Sequence, residues 1–131
     1  MRHEIRTIRR EELVDVTSEV ARVVADSGVA TGVAVVSSPH TTAGILVNEN
    51  ADPDVATDLI AGLSRIAPEH GGWRHAEGNS DAHLKTALVG TSAMIPIEGG
   101  RLVLGTWQAV YFAEFDGPRT RHLQVTVISG L

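Results

Sequence analysis

Between residues 75 and 83 the chain alternates imidazoles, acids and a carboxamide in the pattern His75-x-Glu77-x-Asn79-x-Asp81-x-His83, and a further loop histidine, His40, lies upstream. Three neutral imidazoles and a water make an open site for Zn²⁺ or a similar ion, able to polarise an oxygen or acidify the water. Glu77 and Asp81 are placed to ligate or to orient such rings. The spacing is not the helical signature in which two histidines one turn apart share a face. Two readings therefore stand side by side: a metal-binding loop, or histidines that are simply solvated. The 131 residues include no cysteine, so thiolate sites, disulfides and cysteine nucleophiles are excluded and any metal must be held by His, Asp, Glu or Asn.

Around these groups lie polar residues suited to an anion. The hydroxyls of Thr41 and Thr42 can bond to phosphate oxygens or to turn amides, and Pro39 stiffens their approach. Asn48-Glu49-Asn50 ends a strand just before a helix, where it can bind a polar ligand or satisfy backbone groups. Lys85, Arg119 and Arg121 are the cationic candidates. If Arg119 and Arg121 are in extended chain they share a face and can clamp an anion, the simpler reading being a solvated surface. Trp73, beside Arg74 and His75, is either a pocket wall or a loop anchor.

The elements that must position these residues are legible from periodicity and punctuation. Residues 3 to 16 read as two strands broken by Arg9-Arg10-Glu11-Glu12. A helix is predicted from a Thr17 cap, with Val20, Val23 and Val24 as its buried stripe and Gly28 as its stop. Gly32 to Val36 and Ile45 to Val47 are strands flanking the His40 loop. Asp52 caps a second helix with Pro53 in its first position, Val55, Leu59, Leu63 and Ile66 on one face, and Pro68 beyond. Residues 69 to 79, with three glycines and two histidines, form a site loop, and Ser80 or Asp81 caps a short helix carrying His83 and Lys85. Ala93 to Ile97 and Arg101 to Leu104 make a hairpin about Glu98-Gly99-Gly100. Trp107 to Phe115 is a strand apolar on both faces, which calls for cover by helices or by another subunit. A turn at 116–119 precedes a closing strand, His122 to Ile128.

Length fits one domain spanning 1–131. A net charge of -5 argues against nucleic acid as a partner. The absence of a long apolar run or leader-like start predicts a soluble cytoplasmic protein without a membrane partner.

At five ordered segments the chain closely resembles the YjbQ-like family of secondary thiamine-phosphate synthase enzymes. They are His40-Thr41-Thr42-Ala43-Gly44, Asn48-Glu49-Asn50-Ala51-Asp52-Pro53, His75 through Lys85, Leu104-Gly105-Thr106-Trp107-Gln108, and Glu114 through Arg121. The resemblance implies an α+β fold with a large mixed, largely antiparallel β-sheet and two to three helices, assembled as a homotrimer with sites near subunit boundaries. It implies that His40, His75 and His83 bind a metal, with Glu49, Asn79, Lys85, Gln108, Glu114, Arg119 and Arg121 nearby. The implied reaction joins an aminopyrimidine methyl diphosphate to a thiazole phosphate and expels pyrophosphate. Glu49, Lys85 and Glu114 are then the catalytic candidates, and Thr41, Asn50, Asn79, Gln108, Arg119 and Arg121 the residues for substrate or anion. Three imidazoles favour a zinc-like ion, while Mg²⁺ is the usual companion of pyrophosphate. Two alternatives remain: a metal-dependent hydrolase of a small phosphorylated or acyl substrate, with Glu49 or Glu114 as base, and a non-catalytic trimer that binds a phosphorylated metabolite.

Overall fold

The computed structural model describes residues 1–130 and is α+β, with three helices and two antiparallel sheets. In chain order the elements are β1 (Arg2–Arg6), β2 (Glu12–Asp15), α1 (Thr17–Ser27), β3 (Thr31–Ser37), β4 (Ala43–Glu49) and α2 (Pro53–Ile66). There follow α3 (Ser80–Val89), β5 (Ser92–Glu98), β6 (Arg101–Leu102), β7 (Gln108–Glu114) and β8 (Thr120–Ser129). The larger sheet runs β1-β8-β3-β5-β6 and the smaller β2-β7-β4, with every registered pair antiparallel. The first two strands are not partners: the Arg9–Glu12 break carries the chain from the edge of one sheet to the edge of the other.

The alternation of side chains along each strand sends one set inward. Val36, Ile95, Leu123 and Val125 from the larger sheet meet Ile45, Val110 and Phe112 from the smaller, with Val20 and Val24 of α1 in the same core. Strand β7 is buried along almost its whole length because its other face is covered as well: Ala113 and the adjoining Phe115 pack with Ala82 of α3. The cover for this doubly apolar strand is therefore helical.

Local signals explain the helix ends, with two corrections. Asp52 accepts from the Asp54 amide at 2.9 Å, Pro53 follows it, and Gly28 closes α1 in the left-handed region at φ 70°. Thr17 starts α1, but Asp15 does the capping: its carboxylate accepts from the Thr17 amide and hydroxyl at 2.9 and 2.6 Å. The Thr17 hydroxyl in turn accepts from the Val110 amide, tying the helix to β7. At α3 the N-cap is Asn79, ahead of the expected Ser80 or Asp81, and it caps through backbone rather than side chain. The β5–β6 hairpin turns on Gly99 and Gly100, both at positive φ, and β6 is shorter than the sequence predicts.

Two apolar surfaces are only partly covered in the single chain. No residue of α2 is buried, and its stripe of Val55, Leu59, Leu63 and Ile66 lines an open groove. On the larger sheet Met94 and Ile128 are exposed on the face away from the core, at 71% and 53%. Among the described residues no helix is long and apolar enough to cross a membrane.

Candidate functional site

The expected site residues divide by the direction in which their elements send them. Helix α3 is the pivot. Its buried side carries Asp81 and Lys85, one turn apart, while His83 stands on the exposed side. Lys85 is almost wholly buried and its ammonium donates to Glu11 and, at 2.9 Å, to Asp81. Asp81 also receives a two-pronged bond from Arg10, at 3.0 and 3.1 Å, and Arg10 lies 3.3 Å from Glu69. Burial on its own pushes the Asp81 carboxyl up, but the bonds from Arg10 and Lys85 outweigh it and hold the group below its ordinary range. Lys85 is thus a tie between α3 and the Arg9–Glu12 break, and its charge is spent there.

A second closed cluster joins the two sheets. Glu114 faces inward from β7 and Arg121 inward from β8. Every acceptor position of the Glu114 carboxylate is taken. One oxygen accepts from the Thr7 hydroxyl at 2.7 Å and Arg121 Nε at 2.8 Å, the other from Arg121 Nη2 at 2.5 Å and the Asp116 amide at 3.1 Å. Arg121 Nη2 also donates to the Thr42 hydroxyl at 2.8 Å. Desolvation raises the Glu114 pKa, the Arg121 and Thr7 bonds oppose and outweigh it, and the net direction is down. A saturated carboxylate below its usual range is a poor base. Arg119, by contrast, points outward before β8 begins and is held by the Asp116 carbonyl and carboxylate at 2.9 and 3.0 Å. The expected Arg119–Arg121 clamp does not form, because one side chain is buried and the other exposed. Asn79 donates to the same Asp116 carboxylate at 2.9 Å.

The histidines form two neighbouring groups. His75 and His83 meet edge to face with ring centroids 5.6 Å apart. They border a cleft of about 490 Å³ whose wall includes Trp73 and Arg74. Trp73 is both wall and anchor, since its indole N–H donates to the Pro68 carbonyl at 3.0 Å. His40 shares a separate concavity with His83 but is engaged elsewhere: its Nε2 accepts from the His122 amide at 2.9 Å. Desolvation, helped by Arg121 and His122, holds the His40 pKa below its ordinary value and favours the neutral ring. A nitrogen that accepts a backbone N–H has no lone pair left for a metal. The expected set of three histidines is therefore not assembled in one chain, and among the described residues no three of His, Asp or Glu converge as a metal-holding group. Of the three, only His75 and His83 have their rings against one another.

The remaining candidates lie at the far end of the smaller sheet. Ala43 pairs with Glu114 and Glu49 with Gln108. Six residue steps of β4 thus separate the two ends, about 20 Å at the strand rise. At the far end Gln108 accepts from the Gly105 amide, Asn50 reaches Asp15 at 3.4 Å, and the Glu49 carbonyl accepts from Tyr111. Thr41 stays with His40 and His83 in their shared concavity. Sequence reasoning passed over Arg10, Glu11 and Asp116, because each takes up its role by pairing with a residue of α3 or its cap more than thirty positions away. The adjacency of Arg74 to Trp73 and His75 was the one available signal for a cation at the cleft.

A model of the family "UPF0047 protein YjbQ-like" matches residues 1–130. The chain is 51% identical over 127 residues to a UPF0047 protein of Methanocaldococcus jannaschii, covering 97% of this chain and 92% of that one. It is 50% identical over 119 residues to UPF0047 protein YugU of Bacillus subtilis, covering 90% of each. A crystal structure of an uncharacterised conserved protein of the yjbq/upf0047 family from Clostridium acetobutylicum superposes with a TM-score of 0.96 at 49% identity, over 98% of this chain and 99% of that one. A YbjQ-like protein of unknown function from Sulfolobus solfataricus gives 0.96 at 32% identity, over 99% and 96%.

Proposed function

Because the chain belongs to the UPF0047 YjbQ-like family, we propose that it is a cytoplasmic enzyme acting on a small phosphorylated metabolite at the cleft between Trp73, His75 and His83. The observation that carries this reading is the meeting of the His75 and His83 rings at the edge of an open cleft beside an indole and Arg74. The proposed reaction is the one the resemblance implies. A thiazole nitrogen attacks the methylene carbon of an aminopyrimidine methyl diphosphate, the carbon–oxygen bond breaks, and pyrophosphate leaves with the bonding pair.

Within one chain the roles are uneven. Trp73 offers a face for a flat heterocycle, and Arg74 offers the nearest unspent positive charge to the departing phosphates. His75 and His83 would hold a divalent ion, which when bound would supply further charge neutralisation to the leaving group. Lys85, Glu114 and Arg121 act as framework: they set the position of α3 and of the sheet ends. Glu49, Asn50 and Gln108 act from a neighbouring copy. In the proposed homotrimer the open α2 stripe and the outer face of the larger sheet are covered, and the far end of the smaller sheet meets the cleft of the adjacent subunit.

Incubating the purified protein with both phosphorylated precursors tests the reaction. Thiamine phosphate should form, and His83→Ala should abolish it without loss of fold. A second reading is hydrolysis of a small phosphate or acyl ester, favoured by the spent charges of Lys85 and Arg121, which leave fewer cations than pyrophosphate departure calls for. Chelator-sensitive ester cleavage with no thiamine phosphate formed selects it. Sedimentation equilibrium reads the assembly, and a monomer at micromolar concentration contradicts the shared site.

A further inference from the structure

The buried side of α3 carries one polar group that neither closed cluster uses. Thr86 is only 3% exposed, and its hydroxyl has no hydrogen-bond partner. Helical threonines commonly return this oxygen to the carbonyl one turn earlier. Thr86 does not, so it carries the desolvation cost of an unmatched hydroxyl where a methyl group would carry none. The same residue walls the concavity of about 360 Å³ that also takes in His40, Thr41, His83, Gly90 and Thr91.

The lining of that concavity is selective by charge. It contains three threonines and two imidazoles but no carboxylate. His40 accepts at Nε2 from a backbone amide, so the proton of its neutral ring sits on Nδ1, where it is a donor. Threonine hydroxyls and the His40 Nδ1–H, with no acid among them, suit an oxyanion. The geometry points to Thr86, with Thr41 beside it, as the anchor for a phosphoryl oxyanion in this concavity. His83 borders both this space and the Trp73 cleft. A heteroaromatic phosphate therefore spans the two, with its ring against Trp73 and its phosphoryl group against Thr86. The choice of substrate rests on the function proposed above; the oxyanion site itself does not.

Inorganic phosphate is the probe that separates the two. Titrated against chloride at matched ionic strength and followed through the His40 and His83 ring resonances, it should bind saturably. Thr86→Val, which keeps the shape and removes the hydroxyl, should weaken binding roughly tenfold or more, and Thr86→Ser should restore most of it. Without phosphate, Thr86→Val should melt no lower than the parent, since no internal bond is lost. No saturable binding, undiminished binding to Thr86→Val, or a clear fall in its melting temperature each overturns the inference. Phosphate binding without synthesis of thiamine phosphate removes the enzymatic reading and leaves the subsite. Synthesis with an unchanged KM in Thr86→Val removes the subsite and leaves the enzyme.

Discussion

The Asp81–Lys85 cluster and the histidine cleft are built from the same stretch of chain, yet they differ in how much of their bonding capacity is already used. On the inner side of α3 and between the sheets, Lys85, Asp81, Glu114 and Arg121 are buried and matched with one another or with Arg10, Glu11, Thr7 and Thr42. On the outer side His75 and His83 are exposed, meet each other edge to face with Glu77 3.8 Å from His75, and border the open cleft. Within one motif, then, alternate residues hold the frame and present the chemistry. The helix supplies this division, since positions 81 and 85 share a face that position 83 does not.

That contrast is broken most forcefully at the pair between the sheets. Arg121→Met leaves the Glu114 carboxylate buried with no cation, and unfolding in urea should show a loss of about 3–5 kcal/mol. Lys85→Met should cost less, roughly 2 kcal/mol by the same measurement, because Arg10 still bonds Asp81 on two prongs.

Acid probes the contrast in a graded way. Asp81, Glu114 and His40 all have pKa values below their ordinary ones. Each therefore contributes stability that is present above its unfolded value and lost as pH falls through its folded one. A melting-temperature series should show a shallow decline setting in near pH 6.5, where an unfolded histidine begins to take its proton, and a steeper one below about pH 4, where unfolded carboxylates do. His40→Asn should remove the first step and leave the second. A profile flat down to pH 3 contradicts the clusters.

The smallest effect on stability belongs to the cleft. His75→Ala and His83→Ala should each change the unfolding free energy by no more than about 0.5 kcal/mol, as surface substitutions do. Any larger loss places these rings in the frame after all. The same variants should abolish the proposed activity, so stability and function separate at α3.

Much of the fold was legible in advance because its signals are local. Asp52-Pro53 at a helix start, Gly28 at a helix end and the paired glycines of the β5–β6 turn each act within a few residues. Strand β7 was also legible as doubly apolar, although whether helices or another copy covered it was not. The site was legible as a set of residues more than as a place. His75, His83 and Trp73 do converge, but Glu49, Asn50 and Gln108 lie a strand's length away, and His40 spends its ring nitrogen on the His122 amide.

Residue types and spacing by themselves determined the absence of thiol chemistry, the α+β pattern, the family likeness and the candidate histidines. Only the tertiary structure decided which charges are spent. Whether Lys85 or Arg121 is free to meet a substrate depends on Glu11 and Glu114, partners brought near by the crossing of the chain between two sheets. The energy of a charge is fixed by burial and by distance to its opposite, and neither quantity exists until the chain has folded.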